Sequence, residues 1–267
     1  MPEMPEMATY QKWLTRTVVG QMITDVEVNR EKSINVPVIE FKAALQHQTV
    51  TEVSRRGKQL LFHLSSGQML LLHLMLGGWM HWGTEEDAPD RTKQVILSFS
   101  RHKLYFIGLR LGYIHLHDQQ SAEPVLAKLG PEASSINADK FKEIAEHKRT
   151  IVKAFLTNQA HLSGVGNCYA DEICYHAKLT PLRTMDSLSV KEFEALHQAI
   201  APTLQAAANA GGYMSYPFTS SDRLTGGMNS KLCVYDREGE ACFRCGNPII
   251  RQEASKKNVF FCQVCQH

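Results

Sequence analysis

The first seven residues, Met-Pro-Glu-Met-Pro-Glu-Met, carry more chemistry than their length suggests. An initiator Met ahead of proline is normally trimmed, which would make the secondary amine of Pro2 the first atom of the chain. An α-amine has a reference pKa of about 7.7–8.0, so an appreciable fraction is neutral and nucleophilic at physiological pH. Glu3 stands next to it and could handle protons. In most proteins such a start is a frayed end, so the pair gains meaning only from what accompanies it.

A second group lies at the other terminus. Cys242-Phe-Arg-Cys245 and Cys262-Gln-Val-Cys265 form two CxxC knuckles with sixteen residues between them. Each two-residue gap lets both thiolates of a knuckle reach one ion, and two knuckles at this separation match a tetrahedral zinc site. A segment this short cannot fold on its own core, which favours a metal over chance dithiols. Cys168, Cys174 and Cys233 are left as ordinary thiols, and His267 reads as surface because four sulfurs complete the shell. Lys256 and Lys257, between the knuckles, make a basic hairpin tip suited to a phosphate.

The third group is Leu162-Ser-Gly164-Val-Gly166-Asn167, followed by Cys-Tyr-Ala-Asp-Glu. Two glycines around a small apolar residue let the backbone turn sharply and leave N–H groups at a helix start to meet a phosphate. Lys148, Arg149 and Lys153 add positive charge upstream. Alone, the same text is a plain helix–helix connection.

The elements that must position these groups differ along the chain. From about Thr17 to Leu116 the text is short β-like runs: 23–28, 59–64, 69–76, 95–99, 104–107 and 113–116. Such a series predicts an antiparallel sandwich or barrel. Ahead of it Met7, Tyr10, Leu14 and Val18 share one helical face, with Pro5 near the helix start. A polar stretch with Pro124, Gly130 and Pro131 reads as a linker. Helices are expected over 138–147, 150–159, 168–177 and 190–210, then a long Gly/Ser/Thr-rich mobile loop over 211–229. The domain division is 1–120, a linker at 121–136, 137–230 and a zinc-bearing tail at 231–267.

The 267 residues include 29 Lys+Arg and 27 Asp+Glu, a net charge of +2 that makes no case for a nucleic-acid partner unless charge is locally clustered. Seven cysteines, an odd count, exclude a fully paired disulfide set. The start has no apolar leader region, and the longest apolar run, Met69 to Met80, is broken by His73 and glycines. A cytoplasmic protein without a membrane anchor is expected.

The Pro-Glu-x-Pro-Glu start, Arg55-Arg56-Gly57-Lys58 opening a strand, Leu-Ser-Gly-Val-Gly-Asn-Cys-Tyr-Ala-Asp-Glu and the paired CxxC knuckles occur in one order over one length. Val234-Tyr-Asp-Arg-Glu-Gly-Glu before the first knuckle fits the same pattern. Together they resemble the formamidopyrimidine-DNA glycosylase / endonuclease VIII family of base-excision repair enzymes over the whole chain. The resemblance implies an N-terminal antiparallel β-sandwich flanked by helices, then a helix–two-turn–helix domain with a zinc-ribbon hairpin. It also implies a monomer acting on double-stranded DNA that contains a damaged base or abasic site, with one structural Zn2+.

By that resemblance Pro2 is the nucleophile that attacks C1′ of the damaged nucleotide, Glu3 the general acid/base and Glu6 a supporting acid. Lys58 serves the β-elimination step and a nearby phosphate. Asn167 and the hairpin's Lys257 pin phosphates beside an everted nucleotide, and His73 and Arg149 are further DNA-backbone contacts. Loop 211–229 corresponds to the lesion-reading loop, with Tyr213, Tyr216 and Phe218 as divergent residues.

Departures from the family pattern matter as much. The Met, Arg and Phe that the family inserts beside the flipped base correspond here to Leu76, Leu109 and Leu111, unless Arg110 takes the arginine's place. Leucine can prise bases apart but cannot read an orphan base by hydrogen bonds, which predicts weak opposite-base discrimination. Lys257 stands where the family has arginine, a point charge in place of a planar fork. The δ-elimination step is therefore expected to be slow or absent. The alternatives are a damaged-DNA binding protein of the same fold with little catalysis, and a purely structural zinc-ribbon protein.

Overall fold

The computed structural model describes residues 1–267 except Ser255. The chain divides into two compact units, Met1–Ala127 with Ala210–Gly227, and Lys128–Asn209 with Met228–His267.

The first unit opens with helix α1 (Met4–Thr17). Met7, Tyr10 and Leu14 recur at helical spacing and are almost wholly removed from water, each burial contributing about 1.5–3 kcal/mol. There follow β1 (Asp25–Val28), α2 (Val38–Leu45), β2 (Val50–Arg56), β3 (Gln59–Leu64), β4 (Met69–His73), β5 (Trp79–Gly83), β6 (Lys93–Phe99), β7 (His102–Ile107), β8 (Tyr113–His117) and α3 (Gln119–Leu126). The strands form two four-stranded sheets, ordered β1-β6-β7-β5 and β2-β3-β4-β8, with every pairing antiparallel. Leu60, Phe62, Leu70, Leu72, Ile114 and Leu116 from one sheet join Val95, Leu97, Leu104 and Phe106 from the other in a single core. The α1 helix packs on β2 and β3, and Gln11 Nε2 donates to the Val53 carbonyl at 3.1 Å.

Three expectations shift in this unit. The run read as one strand over 69–76 ends at His73, turns, and continues as β5. The reason is local: Met75 and Gly77 both take positive φ, 50° and 85°. The polar stretch read as linker begins with α3, capped by Asp118, whose side chain accepts from Ser121 N–H at 2.8 Å. Segment 210–227, grouped by sequence with the later helices, belongs to the first unit and is firmly anchored in it.

The second unit holds α4 (Ala138–Ala145), α5 (Val152–Thr157), α6 (Asn167–Ala177), α7 (Val190–Asn209) and a hairpin of β9 (Ile250–Ala254) and β10 (Lys257–Phe261). Its packing centres on α6 against α5, α7 and β10. Among the described residues, no helix is long and apolar enough to cross a membrane.

Candidate active site

The N-terminal residues are held by a capping arrangement. Pro5 lies in the first turn of α1, where a missing N–H has no helical partner to lose. Glu3 is the N-cap, and Glu6 three residues on turns back so that its Oε2 accepts the Glu3 N–H at 2.8 Å. Pro2 is buried, and Glu3 and Glu6 are only 1% and 2% exposed. A terminus that the sequence leaves free to fray is fixed by two glutamates, and both lie in the interior.

Lys58 follows β2, the strand against which α1 packs, and is 6% exposed on the turn into β3. Gly57 makes that turn at φ 57°. His73 ends β4 opposite Gln59 on one side and Tyr113 on the other, and it stacks on Tyr113 at 5.8 Å. Burial, reinforced by the Lys58 charge, pushes the His73 imidazole down to about 4. It is therefore neutral at pH 7, a hydrogen-bonding group and not a cation.

The turns that should carry the wedge are packed backbone to backbone. A Cβ on Gly108 would lie 2.1 Å from the Gly77 carbonyl oxygen, and one on Gly112 2.6 Å from that of His73. Only glycine allows this approach. Leu76 and Leu111 stand out on these adjoining turns, each 64% exposed. Leu109 does not: it is fully buried in the sandwich core, and its N–H is held by Gln94 Oε1 at 3.1 Å. The wedge assignment of Leu109 is thus corrected. With Gly108 at φ 72° the chain reverses so that the side chain reaching solvent is Arg110.

Segment 210–227 is built onto the same unit. Phe218 is fully buried against Tyr10 and Trp13, Tyr216 stacks on Trp79 at 4.6 Å, and the Trp82 N–H donates to the Phe218 carbonyl at 2.6 Å. Asp222 ties the turn, accepting the N–H groups of Phe218, Leu224 and Thr225. At its start Gly212 passes so close to Glu6 that a Cβ would lie 2.2 Å from Oε1. That oxygen accepts the Tyr213 N–H at 2.9 Å. The mobile loop expected from composition is an anchored one.

In the second unit Gly166 caps α6, Asn167 is its first and exposed residue, and Gly164 turns the chain at φ 104°. Gln159 organises this turn, accepting the Gly164 N–H at 3.0 Å and donating to the Thr157 and Val165 carbonyls. Arg149 is exposed. Lys153, grouped by sequence with the basic entry, is not available to a phosphate. It is 2% exposed, and its Nζ lies 2.7 Å from both Asp171 oxygens and 2.6 Å from the Asn258 carbonyl. Asp171 also accepts the Phe260 N–H, so one buried ion pair joins α5, α6 and β10. Glu172 beside it accepts the N–H groups of Cys233, Val234 and Tyr235 at 2.8–2.9 Å.

Lys257 opens β10 at the hairpin tip, its Nζ 3.2 Å from Thr157 Oγ1. The sulfurs of Cys242, Cys245, Cys262 and Cys265 all lie within 4.8 Å of one another. The Cys245–Cys262 and Cys242–Cys265 separations are 3.5 and 3.9 Å. Four thiolates at about 2.3 Å from a tetrahedral zinc would stand about 3.8 Å apart, so the donor set fits that ion.

Comparison with known proteins agrees with this geometry. Residues 1–114 match the formamidopyrimidine-DNA glycosylase N-terminal domain and residues 129–217 the H2TH domain of the same enzymes. A formamidopyrimidine-DNA glycosylase of Halalkalibacterium halodurans is 34% identical over 274 residues, covering 100% of both chains. The chain belongs to the formamidopyrimidine-DNA glycosylase family. A second relative, from Pelotomaculum thermopropionicum, is 32% identical over 100% of this chain and 99% of its own. Among solved structures, wild-type Lactococcus lactis Fpg with N7-benzyl-Fapy-dG DNA superposes with TM-score 0.92 at 29% identity, over 99% of each chain. The same enzyme with abasic-site DNA gives TM-score 0.92.

The chain carries Pro2, Glu3, Lys58, Asn167 and the four cysteines, with leucines at the turn tips and a lysine at 257. Sequence reasoning missed the part of Gln159 and the buried anchors Asp171 and Glu172. For the last two a signal existed, adjacent acids inside an otherwise apolar helix, Cys168–Tyr175. For Tyr213, which touches the N-terminus, there was none beyond its place in a divergent loop.

Proposed function

We propose that this chain is a base-excision DNA glycosylase that also cleaves the strand at the abasic site it makes. The observation that carries the reading is the buried Pro2-Glu3 pair fixed at the head of α1, in a chain of this family. With Met1 removed, the Pro2 amine attacks C1′ and the bond from C1′ to the damaged base breaks. The base departs with that electron pair and takes up a proton. Glu3 protonates O4′ as the C1′–O4′ bond opens, the amine loses its N–H proton, and an iminium joins Pro2 to the sugar. The iminium withdraws electrons from C2′, so loss of a C2′ proton expels the 3′ phosphate. Water then releases the enzyme amine.

Lys58, on the β2–β3 turn, balances phosphate charge beside this centre, and neutral His73 adds a hydrogen bond. Asn167 at the start of α6, exposed Arg149 and Lys257 at the hairpin tip hold the DNA backbone. Leu76 and Leu111 fill the gap left by the everted base, with Arg110 as the polar group beside the orphan base. Zn2+ held by Cys242, Cys245, Cys262 and Cys265 supplies a cross-link that fixes the hairpin. The partner in this reading is double-stranded DNA bearing a formamidopyrimidine-type lesion or abasic site, bound by a monomer in the cytoplasm. A binding protein without catalysis is not favoured, because the full-length relatives are named glycosylases.

Incubation with a duplex carrying one Fapy-dG should release that base. Glu3→Gln should slow release by about 100-fold or more and affect covalent trapping on abasic-site DNA much less. Base release by Glu3→Gln at the wild-type rate would refute the assignment of Glu3.

A further inference from the structure

The loop that reaches the N-terminus brings a phenol with it. Tyr213 Oη lies 2.9 Å from the Met1 carbonyl oxygen, to which it donates, and 3.1 Å from the Met1 amine, from which it accepts. The Met1 carbonyl carbon is bonded to the Pro2 nitrogen, and a peptide oxygen lies about 2.3 Å from the nitrogen it adjoins. The Tyr213 hydroxyl therefore sits within about 5 Å of the Pro2 nitrogen. Removal of Met1 takes away these two atoms and leaves the Pro2 amine about 5 Å from the hydroxyl.

The phenol is not there by accident of a floppy loop. Glu6 Oε1 holds the Tyr213 N–H at 2.9 Å while Oε2 holds the Glu3 N–H at 2.8 Å, so one carboxylate sets the hydroxyl-bearing residue against the residue after Pro2. Gly212 leaves the space for this, and Tyr216 on Trp79 and buried Phe218 fix the following turn. The Tyr213 side chain is half-buried, which leaves its hydroxyl a route to solvent.

We propose that Tyr213 positions the Pro2 amine for attack and relays the proton it must lose. This rests on the reading of Pro2 as nucleophile. Its Oη accepts the amine N–H, turning the lone pair toward C1′. When the N–C1′ bond forms, the nitrogen is a protonated tertiary amine. Its proton passes to Oη while the hydroxyl's own proton passes to water, so the tyrosine is neutral before and after.

The test is single-turnover borohydride trapping of processed protein on duplex DNA with a preformed abasic site, followed across pH 5 to 9 on the order of one-unit steps. Tyr213→Phe keeps the ring and loses only the hydroxyl. The plateau rate should fall about tenfold, and the acid limb should move to lower pH because the ammonium form loses an acceptor. DNA affinity should be unchanged. A wild-type plateau and limb in Tyr213→Phe would overturn the proposal. So would a lower plateau with an unmoved limb and a lowered melting temperature, which marks a packing role. If the wild-type protein itself forms no adduct, the Pro2 reading fails first and this inference falls with it.

Discussion

At the scale of single residues, position within a turn outweighs position in an aligned motif. The family resemblance gives Leu109 the place of a base-reading arginine, yet it is core, and Arg110 next to it is exposed. Leu76 and Leu111 are both exposed, as the proposed space-filling role requires. The expectation of weak opposite-base discrimination therefore turns on Arg110. Removing it by Arg110→Ala should flatten whatever preference the wild type shows for the base opposite an abasic site, a loss of about 1–3 kcal/mol per bidentate contact. Competition binding with the four opposing bases measures this; an unchanged preference would remove Arg110 from the interface. The cysteine cluster was legible because residue type and spacing alone bring four sulfurs together, whereas Pro2 and Lys58 took their roles only from the family resemblance. The exchange of Leu109 for Arg110 stood as an alternative that sequence could not decide, because Gly108 at positive φ breaks the strand alternation on which such a choice depends.

At the scale of elements, the parts that hold the site are buried polar anchors. Lys153 and Asp171 are almost fully desolvated and tie α5 and α6 to β10. Asp171→Ala would leave a lysine charge buried without its partner, a loss of about 3–5 kcal/mol in unfolding free energy. Urea unfolding checks the value, and a change below ~1 kcal/mol would contradict the anchoring role. At Gly212 a methyl group would meet the Glu6 carboxylate at φ 71°, so Gly212→Ala should displace segment 210–227 and slow trapping while leaving the β-sandwich folded. The element map itself was partly readable. Strands β3, β6, β7 and β8 and helices α4 to α7 announce themselves by apolar periodicity. Strand β2 (Val-Thr-Glu-Val-Ser-Arg-Arg) does not, because its polar residues mask the pattern, and β5 was hidden in the same apolar run as β4. The anchoring of 210–227 depends on Phe218 finding Tyr10 and Trp13, contacts across some 200 positions that no local pattern encodes.

At the scale of the whole molecule, a net charge of +2 gives way to local clusters. In the proposed reading Lys58, Arg149 and Lys257 are the three cations that meet phosphates. A plot of log affinity against log salt should have a slope of about −2.7 if these are the ones used. Lys257→Gln should make that slope shallower by about one; an unchanged slope would place Lys257 away from the DNA. Stability should also depend on pH. Burial holds His73 at about 4, below its unfolded value of 6.5, so the unfolded chain takes up more protons between those limits. The stabilisation present above about pH 6.5 is lost as pH falls toward 4. His73→Gln should shrink that loss in thermal melts taken across the same range, and an identical pH dependence in both proteins would contradict the burial of a neutral imidazole. Removing the metal with a chelator should lower the melting temperature of the second unit and abolish tight DNA binding, since hairpin and knuckles order one another.

The most direct test of the whole account is where the covalent bond forms. The protein, freed of Met1, is incubated with abasic-site duplex and borohydride, and the adduct is digested and mapped by mass spectrometry. A sugar remnant is expected on the Pro2 nitrogen, and no adduct when that amine is blocked or Pro2 is replaced by an N-acetylated residue. An adduct on Lys58 or another lysine, or none with correctly processed protein, would contradict it.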